Sequence, residues 1–128
     1  MSKTSVNARL AMIQAFASFM DNGSQSATVI FYEGVQPVDT SVAADSNNAL
    51  VTLTLPEPCV KEVTPTYVEL HPTNTGSVIK SGTAAWARIF NGAGEVAADL
   101  TVGTDITLAN TNLALGGSFQ VNSFKIRP

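Results

Sequence analysis

This sequence has little of the residue types that bind metals or form disulfides. It contains one cysteine, Cys59, and one histidine, His71. A single cysteine cannot form an intramolecular disulfide, and one cysteine with one histidine cannot complete a zinc shell. No D-x-D-x-D-G calcium-binding loop is present either. We therefore expect no metal and no cofactor, and we interpret Cys59 as a small apolar filler.

Charge is also scarce. Asp, Glu, Lys and Arg make up 13% of the chain, and its net charge is -3. The charged share is about half of that in an ordinary domain. Such a chain has no cationic surface to neutralise phosphates, so nucleic-acid binding is disfavoured. The 34 Ser, Thr and Asn residues instead predict a neutral surface rich in hydroxyl and amide groups.

Long hydrophobic runs are missing as well. No apolar stretch approaches the roughly 18 residues that a membrane-spanning helix needs, so we expect a soluble protein without a membrane partner. Lys3 and Arg9, followed by residues 10–20, imitate a signal peptide, but Gln14 interrupts the run and no A-x-A-like cleavage site follows. We expect cytosolic synthesis and, from the length of 128 residues, a single domain over residues 1–128.

The chain begins with a helical pattern over about residues 5–21. Apolar positions recur at steps of three and four, which places them on one stripe of a helix. These positions are Val6, Leu10, Ile13, Phe16, Ala17 and Met20. Thr4 or Ser5 can cap the start, and the Asp21-Asn22-Gly23 sequence is typical of a helix end because glycine adopts the left-handed conformation freely.

From about residue 27 to residue 126, short β-like segments alternate with turn residues. Residues 49–55 alternate most cleanly, with Val51, Leu53 and Leu55 on one face, which is typical of a half-buried antiparallel strand. The other predicted strands cover residues 27–33, 67–70, 83–90, 106–109 and 119–126. In the last of these the apolar positions change parity near Asn122-Ser123, which predicts a β-bulge.

Many short strands and a single helix are typical of a β-sandwich. We therefore predict a mainly β fold, an antiparallel β-sandwich or jelly-roll-like domain with one N-terminal α-helix. No second helix is available for the crossovers of a parallel sheet. Residues 35–48 have no regular period and are predicted to form a surface loop or an extended arm. The stretch before Ser5 is a second candidate arm.

The sequence offers no convincing catalytic or nucleotide-binding site. His71 has no G-x-S-x-G nucleophile motif to serve, and nothing singles out a pair of carboxylates. Residues 92–97 match the G-x-G-x-x-A dinucleotide pattern, but too few residues follow to form its helix. We interpret residues 91–94 as a tight hairpin turn. We predict no catalytic residue and expect that the protein is not an enzyme.

The predicted strand at residues 83–90 carries apolar residues on both faces. Ala85, Ala87 and Ile89 share one face, and Trp86 and Arg88 share the other. Trp86 therefore lies either in the core, opposite closely packed alanines, or on a surface that another subunit covers.

Several stretches of the chain, together with the Ala- and Leu-containing helix at its start, form a recognisable pattern. They are F-Y-E-G at residues 31–34, G-T-A-A-W-A-R-I-F at 82–90, N-G-A-G-E at 91–95, V-G-T-D-I-T-L at 102–108, the glycine pair at 116–117 and S-F-x-V-x-S-F-x-I-x-P at 118–128. In this pattern the sequence resembles a family of small tailed-bacteriophage and prophage proteins of about this length, which also begin with a helix rich in Ala and Leu. The turn after Phe90 is shorter than in the family, and residues 35–48 match none of its patterns.

The resemblance implies a virion structural protein, most simply a capsid decoration or cement protein that binds the major capsid protein and stabilises the head. It implies a location on the outer capsid surface after synthesis in the host cytoplasm, with copies of itself, as a dimer or trimer, as further partners. The family has no catalytic residues to transfer. Two alternatives stay open: a tail or head–tail junction adaptor, and, from another class, a carbohydrate-binding β-sandwich or a small hydrolase using His71.

Two parts of the chain are predicted to carry the protein contacts. Residues 35–48 are long enough to lie across a neighbouring surface. Tryptophan and arginine are enriched among the residues that dominate interface energies. The predicted interface residues are Val35, Pro37, Val38, Val42, Trp86 and Arg88.

Overall fold

A computed structural model describes residues 5–108, 110–122 and 124–127. It confirms a mainly β chain with antiparallel sheets and one N-terminal helix, in a sandwich-like arrangement. The elements are α1 (Val6–Met20), β1 (Thr28–Tyr32), a 3-10 turn (Ser46–Asn48), β2 (Ala49–Thr54), β3 (Val60–Val63), β4 (Val68–Leu70), β5 (Gly76–Ser77), β6 (Gly82–Thr83), β7 (Trp86–Phe90), β8 (Val96–Thr101), β9 (Asn112–Leu113), β10 (Ser118–Phe119) and β11 (Phe124–Ile126).

Helix α1 begins and ends as predicted. The Ser5 side chain accepts a hydrogen bond from the backbone N–H of Ala8 at 3.1 Å, and Gly23 adopts a φ of 107° beyond the last turn. The predicted apolar stripe is buried at Ile13 and Met20 but open at its first position, since Val6 is exposed. The other capping candidate and the proposed N-terminal arm lie outside the described residues. No helix in the described ranges combines the length and the hydropathy that crossing a membrane requires.

The larger sheet, here called the first sheet, has the strand order β2-β1-β7-β8, and all its pairings are antiparallel. Its inner face is apolar because β1, β2 and β7 alternate with period two. The buried residues on that face are Val29, Phe31, Val51, Leu53, Ala87 and Ile89. The clean alternation predicted for residues 49–55 is therefore confirmed, with Thr52 exposed between buried neighbours.

The second sheet has the order β11-β4-β3 and supplies the opposite wall of the core. Val68, Leu70, Phe124 and Ile126 belong to the same buried cluster as the inner face of the first sheet. Helix α1 packs against β3, and two short pairings, β5 with β10 and β6 with β9, complete the described part of the sandwich. Burial of this single cluster is the main source of stability in a chain whose described part has no disulfide.

Three of the strand predictions were wrong. The predicted strand at 83–90 is two strands, because Thr83 belongs to β6, which pairs with β9, whereas Trp86–Phe90 form β7, which pairs with β1 and β8. The predicted strand at 119–126 is instead two strands, because β10 pairs with β5 whereas β11 pairs with β4. The parity change that predicted a bulge thus marks the point where the chain changes sheets, and Ser123 itself lies outside the described residues. Residues 106–108 form no strand: Ile106 makes a single bridge to Val102, after a turn in which Gly103 adopts a φ of 97°. Ala109 lies outside the described residues.

Some strands carried too little signal to be predicted. β8, with the sequence V-A-A-D-L-T, has small and half-buried residues and no clean alternation. β3 was missed because its two central residues are charged and exposed, so no apolar alternation is visible in its sequence. β5 and β9, which no predicted strand covers, are two residues long, too short for a period to be visible.

The turn between β7 and β8 confirms the hairpin prediction and anchors the end of α1. The buried side chain of Asn91 accepts hydrogen bonds from the backbone N–H groups of Ala93 and Glu95, at 3.0 and 2.9 Å, and donates to the carbonyl of Phe19 at 3.1 Å. Gly92 has no room for a side chain, since a Cβ there would lie 2.1 Å from the carbonyl oxygen of Gln25. The turn therefore joins the first sheet to the helix.

Replacing Asn91 by alanine is expected to lower the free energy of unfolding by about 2–3 kcal/mol, because buried backbone groups lose their partners. Urea denaturation measures the change. Asn7→Ala is the matched control, since Asn7 is exposed on α1 and is expected to change stability by less than about 0.5 kcal/mol. Equal effects of the two changes would contradict the anchoring role of Asn91.

Candidate protein-interaction site

Residues 33–48, here called the strap, join β1 to β2. Their base is closed by a hydrogen bond from the backbone N–H of Glu33 to the carbonyl of Asn48 at 3.0 Å. Lys80 adds a second clamp: its Nζ lies 2.8 Å from Oε1 of Glu33 and donates to the carbonyl of Asn47 at 2.9 Å. Gly34, with a φ of 87°, turns the chain away from β1. The strap is thus an irregular segment fixed at both ends.

The outer face of the first sheet, opposite the core, carries a row of side chains that the strand register places side by side. Tyr32 of β1 lies opposite Trp86 of β7, which lies opposite Thr101 of β8. The rings of Tyr32 and Trp86 stack with their centroids 4.5 Å apart and 16° between their planes. Neither ring belongs to the main core cluster, yet both are buried. A second, smaller apolar layer therefore lies on the outer face.

Two residues beyond Trp86 on β7, Arg88 forms a buried ion pair with its cross-strand partner Asp99 of β8. Arg88 donates from Nε to Oδ1 at 2.7 Å and from Nη2 to Oδ2 at 3.0 Å, a two-pronged geometry that fixes both planes. The side chains are only 3% and 7% exposed. The hydrogen bond to Asp99 raises the pKa of Arg88 above its ordinary value, so the guanidinium stays charged. Its Cζ also lies 5.4 Å from the centre of the Trp86 ring.

The strap crosses this outer face. Oε1 of Gln36 accepts a hydrogen bond from the hydroxyl of Thr101 at 2.7 Å, which brings the strap beside Trp86 because Trp86 and Thr101 are direct cross-strand neighbours. Hydrogen bonds from Ser41, followed by smaller effects that include the positive charge of Arg88, lower the pKa of Asp39, which keeps it ionised.

The structure divides the predicted interface residues into two groups. Val35 and Val38 are each 93% exposed, Val42 is 44% exposed, and Pro37 is half-buried between the first two. The predicted loop at residues 35–48 is therefore an exposed segment with outward apolar side chains. We refer to Val35 and Val38 as the valine pair.

Trp86 and Arg88 are corrections to the prediction. Each is only 2% exposed within the single chain, so neither offers a surface to a second subunit. Trp86 does not lie in the main core either, because the inner face of β7 belongs to Ala87 and Ile89. The first of the two alternatives from the sequence is therefore confirmed in its main point, since Trp86 is buried on the face of β7 opposite Ala87.

Sequence reasoning also missed the partners of these residues. Asp99 and Thr101 lie on β8, which was not predicted as a strand, so their register with β7 was not available. Gln36 stands in a segment without any period. One usable signal was present in β1. Because alternate residues of a strand lie on opposite faces, Tyr32 shares a face with Ile30 and Thr28, whereas the buried Val29 and Phe31 lie on the other face.

The other groups considered as catalytic, metal-binding or sugar-binding residues make ordinary structural contacts. The backbone N–H of His71 donates to the carbonyl of Cys59 at 2.9 Å, next to β4. The residues that the structure describes contain no cluster of three or more His, Cys, Asp or Glu side chains placed to hold a metal ion. All nine aromatic side chains lie in described residues, and each is buried or half-buried.

Cys59 is fully buried, and burial, followed by the nearby Asp21 carboxylate, raises its pKa to about 12. The thiolate is the reactive form, so we expect no reaction with a thiol reagent at pH 8 until the protein unfolds. The pKa of the unfolded thiol is about 8.5. Because the folded value is higher, this contribution to stability is present below that pH and is lost as the pH rises towards about 12. Rapid labelling without denaturant would contradict the buried position.

Comparisons with protein-family models, with curated proteins and with solved structures find no match to this chain.

Proposed function

We propose that this chain is a virion structural protein of a tailed bacteriophage or prophage, and that it decorates the outer surface of the capsid. In this role it binds the major capsid protein, stabilises the head and carries out no reaction. The proposal begins from the sequence resemblance, which covers most of the chain.

The observation that carries the proposal is the valine pair. Two large apolar side chains, each 93% exposed, project from a loop that is clamped to a sheet at its base and again at Gln36, between the two valines. Exposed apolar side chains on a fixed support are typical of protein-binding surfaces, because they lose contact with water on binding without much loss of backbone freedom.

The charge of the strap defines the kind of partner surface. Residues 34–48 contain Asp39 and Asp45 and no Lys or Arg. A capsid surface that fits them has an apolar recess for the valine pair and a neutral or basic rim. Added copies then stabilise the mature head because they bind it and not the disassembled subunits.

The carbohydrate-binding alternative is less well supported. Sugar-binding platforms use exposed aromatic rings, and each ring of this chain is buried or half-buried. A groove rich in amide and hydroxyl groups lies beside β9 and β10, but the aromatic residue in its described lining is Phe119, whose ring packs edge-on against Phe31 with the centroids 5.3 Å apart. No specific contact favours a tail or junction position over the head.

Immunogold labelling tests the proposal on particles of the phage or prophage that encodes the chain. Label over the whole head supports decoration, whereas label at one vertex or along the tail supports the junction or tail alternative. Absence from intact particles, with the protein present in infected cells and the epitope accessible, would contradict any virion role. A rise in the heat resistance of heads that lacked the protein, once it is added back, tests the cement function separately.

A further inference from the structure

We propose that the hydrogen bond between Gln36 and Thr101 is a latch that holds the valine pair in its binding position, and that Gln36 is a positioning residue for the interface. The latch itself depends only on the described geometry. Its effect on capsid binding rests on the proposed function.

The geometry of the latch follows from which side chains of the strap are exposed and which are half-buried. Val35 and Val38 point to solvent, whereas Gln36 and Pro37, between them, are half-buried. The Gln36 side chain reaches the sheet through one bond of 2.7 Å, to the hydroxyl of Thr101. Fixing Gln36 therefore also fixes the two residues that flank its backbone segment.

The latch acts on a segment that otherwise has few bonds to the sheet. The clamps formed by Glu33, Asn48 and Lys80 lie at the base of the strap, and the bonds of Asp39 to Ser41 and Val42 stay within the strap. Without the latch the middle of the strap has more conformations to lose on binding, and each ordered residue then costs entropy. A broken latch is expected to weaken binding without removing any contact with the partner.

The chain carries its own reporter of the latch. Trp86 is the single tryptophan, and it lies directly opposite Thr101 beneath the strap. Acrylamide quenching of its fluorescence measures how often the strap exposes the ring. This readout uses the isolated protein and needs no capsid.

Thr101→Val removes the hydroxyl that donates the bond and keeps the β-branched shape. Thr101→Ser keeps the hydroxyl and is the conservative rescue. Thr52→Val is the matched control, since Thr52 is an exposed threonine on β2, at the other edge of the first sheet, and the same hydroxyl is lost there. The backbone bond from the Thr101 N–H to Asp105, at 2.9 Å, does not involve the changed atom.

We expect Thr101→Val to raise the quenching of Trp86 several-fold, while Thr101→Ser and Thr52→Val stay near the parent value. Binding to heads is expected to weaken by roughly three- to tenfold for Thr101→Val alone, the range that corresponds to the loss of one hydrogen bond. Unchanged quenching in Thr101→Val, with the fold intact by circular dichroism, would overturn the latch. Increased quenching with unchanged head binding would overturn the positioning role.

The two proposals fail in different ways. If the parent protein does not bind heads at all, the decoration function is contradicted, and the quenching series still decides whether the latch exists. If the parent binds heads and Thr101→Val binds equally well, the decoration function stands, and the proposal that the latch positions the valine pair for binding is contradicted. A Gln36→Ala variant repeats the test from the other side of the bond and is expected to match Thr101→Val in both measurements.

Discussion

Asp99→Ala is expected to lower the free energy of unfolding by about 3–5 kcal/mol, the cost of leaving one member of a buried ion pair without its partner. Arg88 is 2% exposed and lies 5.4 Å from the centre of the Trp86 ring, so its charge has little access to water once Asp99 is gone. A loss of this size is a large part of the total stability of an ordinary domain. Urea denaturation at neutral pH measures it.

Two further variants separate this effect from a general change in charge. Glu62→Ala removes the same charge from an exposed position, whose one described side-chain contact is a bond of 3.3 Å from the Tyr67 hydroxyl, and is expected to cost less than about 1 kcal/mol. The double variant Arg88→Met with Asp99→Leu removes both charges and is expected to recover most of the loss. A cost below about 1 kcal/mol for Asp99→Ala would mean that water reaches Arg88 and that the strap is not a cover.

The buried pair also gives the outer face a defined geometry. A layer held only by the stacked Tyr32 and Trp86 rings tolerates sliding, because apolar contacts have little directional preference. The two-pronged contact of Arg88 with Asp99 fixes β7 against β8, and the Thr101 hydroxyl on β8 is then set at a fixed place for Gln36. The position of the exposed valine pair thus depends on a series of directional hydrogen bonds that begins with the buried pair of Arg88 and Asp99.

The parts of the fold that could be predicted from the sequence are those in which local periodicity agrees with burial. Residues 49–55 alternate because one face of β2 lies on the core, and α1 carries a cap and a terminating glycine. The predictions failed where pairing is decided by distant residues. Residues 119–126 leave one sheet for another, and no local pattern distinguishes that crossing from a bulge in one strand.

The candidate site shows the same division between local and distant information. Residues 35–48 were predicted correctly as a surface segment, because a segment without period cannot align its apolar residues on a core; the interface role of Val35 and Val38 stays a prediction. Trp86 and Arg88 were predicted wrongly as surface candidates, because their surroundings include residues distant in the sequence, Tyr32 on β1 and Asp99 on β8. A residue type enriched at interfaces is equally suited to a buried layer within one chain, and the choice depends on tertiary contacts that composition does not encode.

Changing both Val35 and Val38 to aspartate is expected to weaken binding to capsid heads by about a hundredfold or more, if the valine pair fills an apolar recess as proposed. Loss of a central apolar contact typically costs about 2 kcal/mol or more, and a buried unpaired carboxylate adds to that cost. The fold is expected to remain, since both side chains are 93% exposed and surface changes usually shift stability by less than about 0.5 kcal/mol.

Co-sedimentation of the variant with heads that lack the protein measures the binding, and a thermal melt of the isolated variant measures the fold. Val6→Asp is the matched control: it also replaces an exposed valine, 54% exposed on the first turn of α1, where a negative charge suits the helix N-terminus. Parent-like binding by the strap variant would place the contact surface elsewhere on the chain. Loss of binding in the strap variant but not in Val6→Asp would instead assign the contact to the valine pair, because both variants replace exposed valine by aspartate, at two positions in the strap and at one in α1, and the apolar surface is lost at different places.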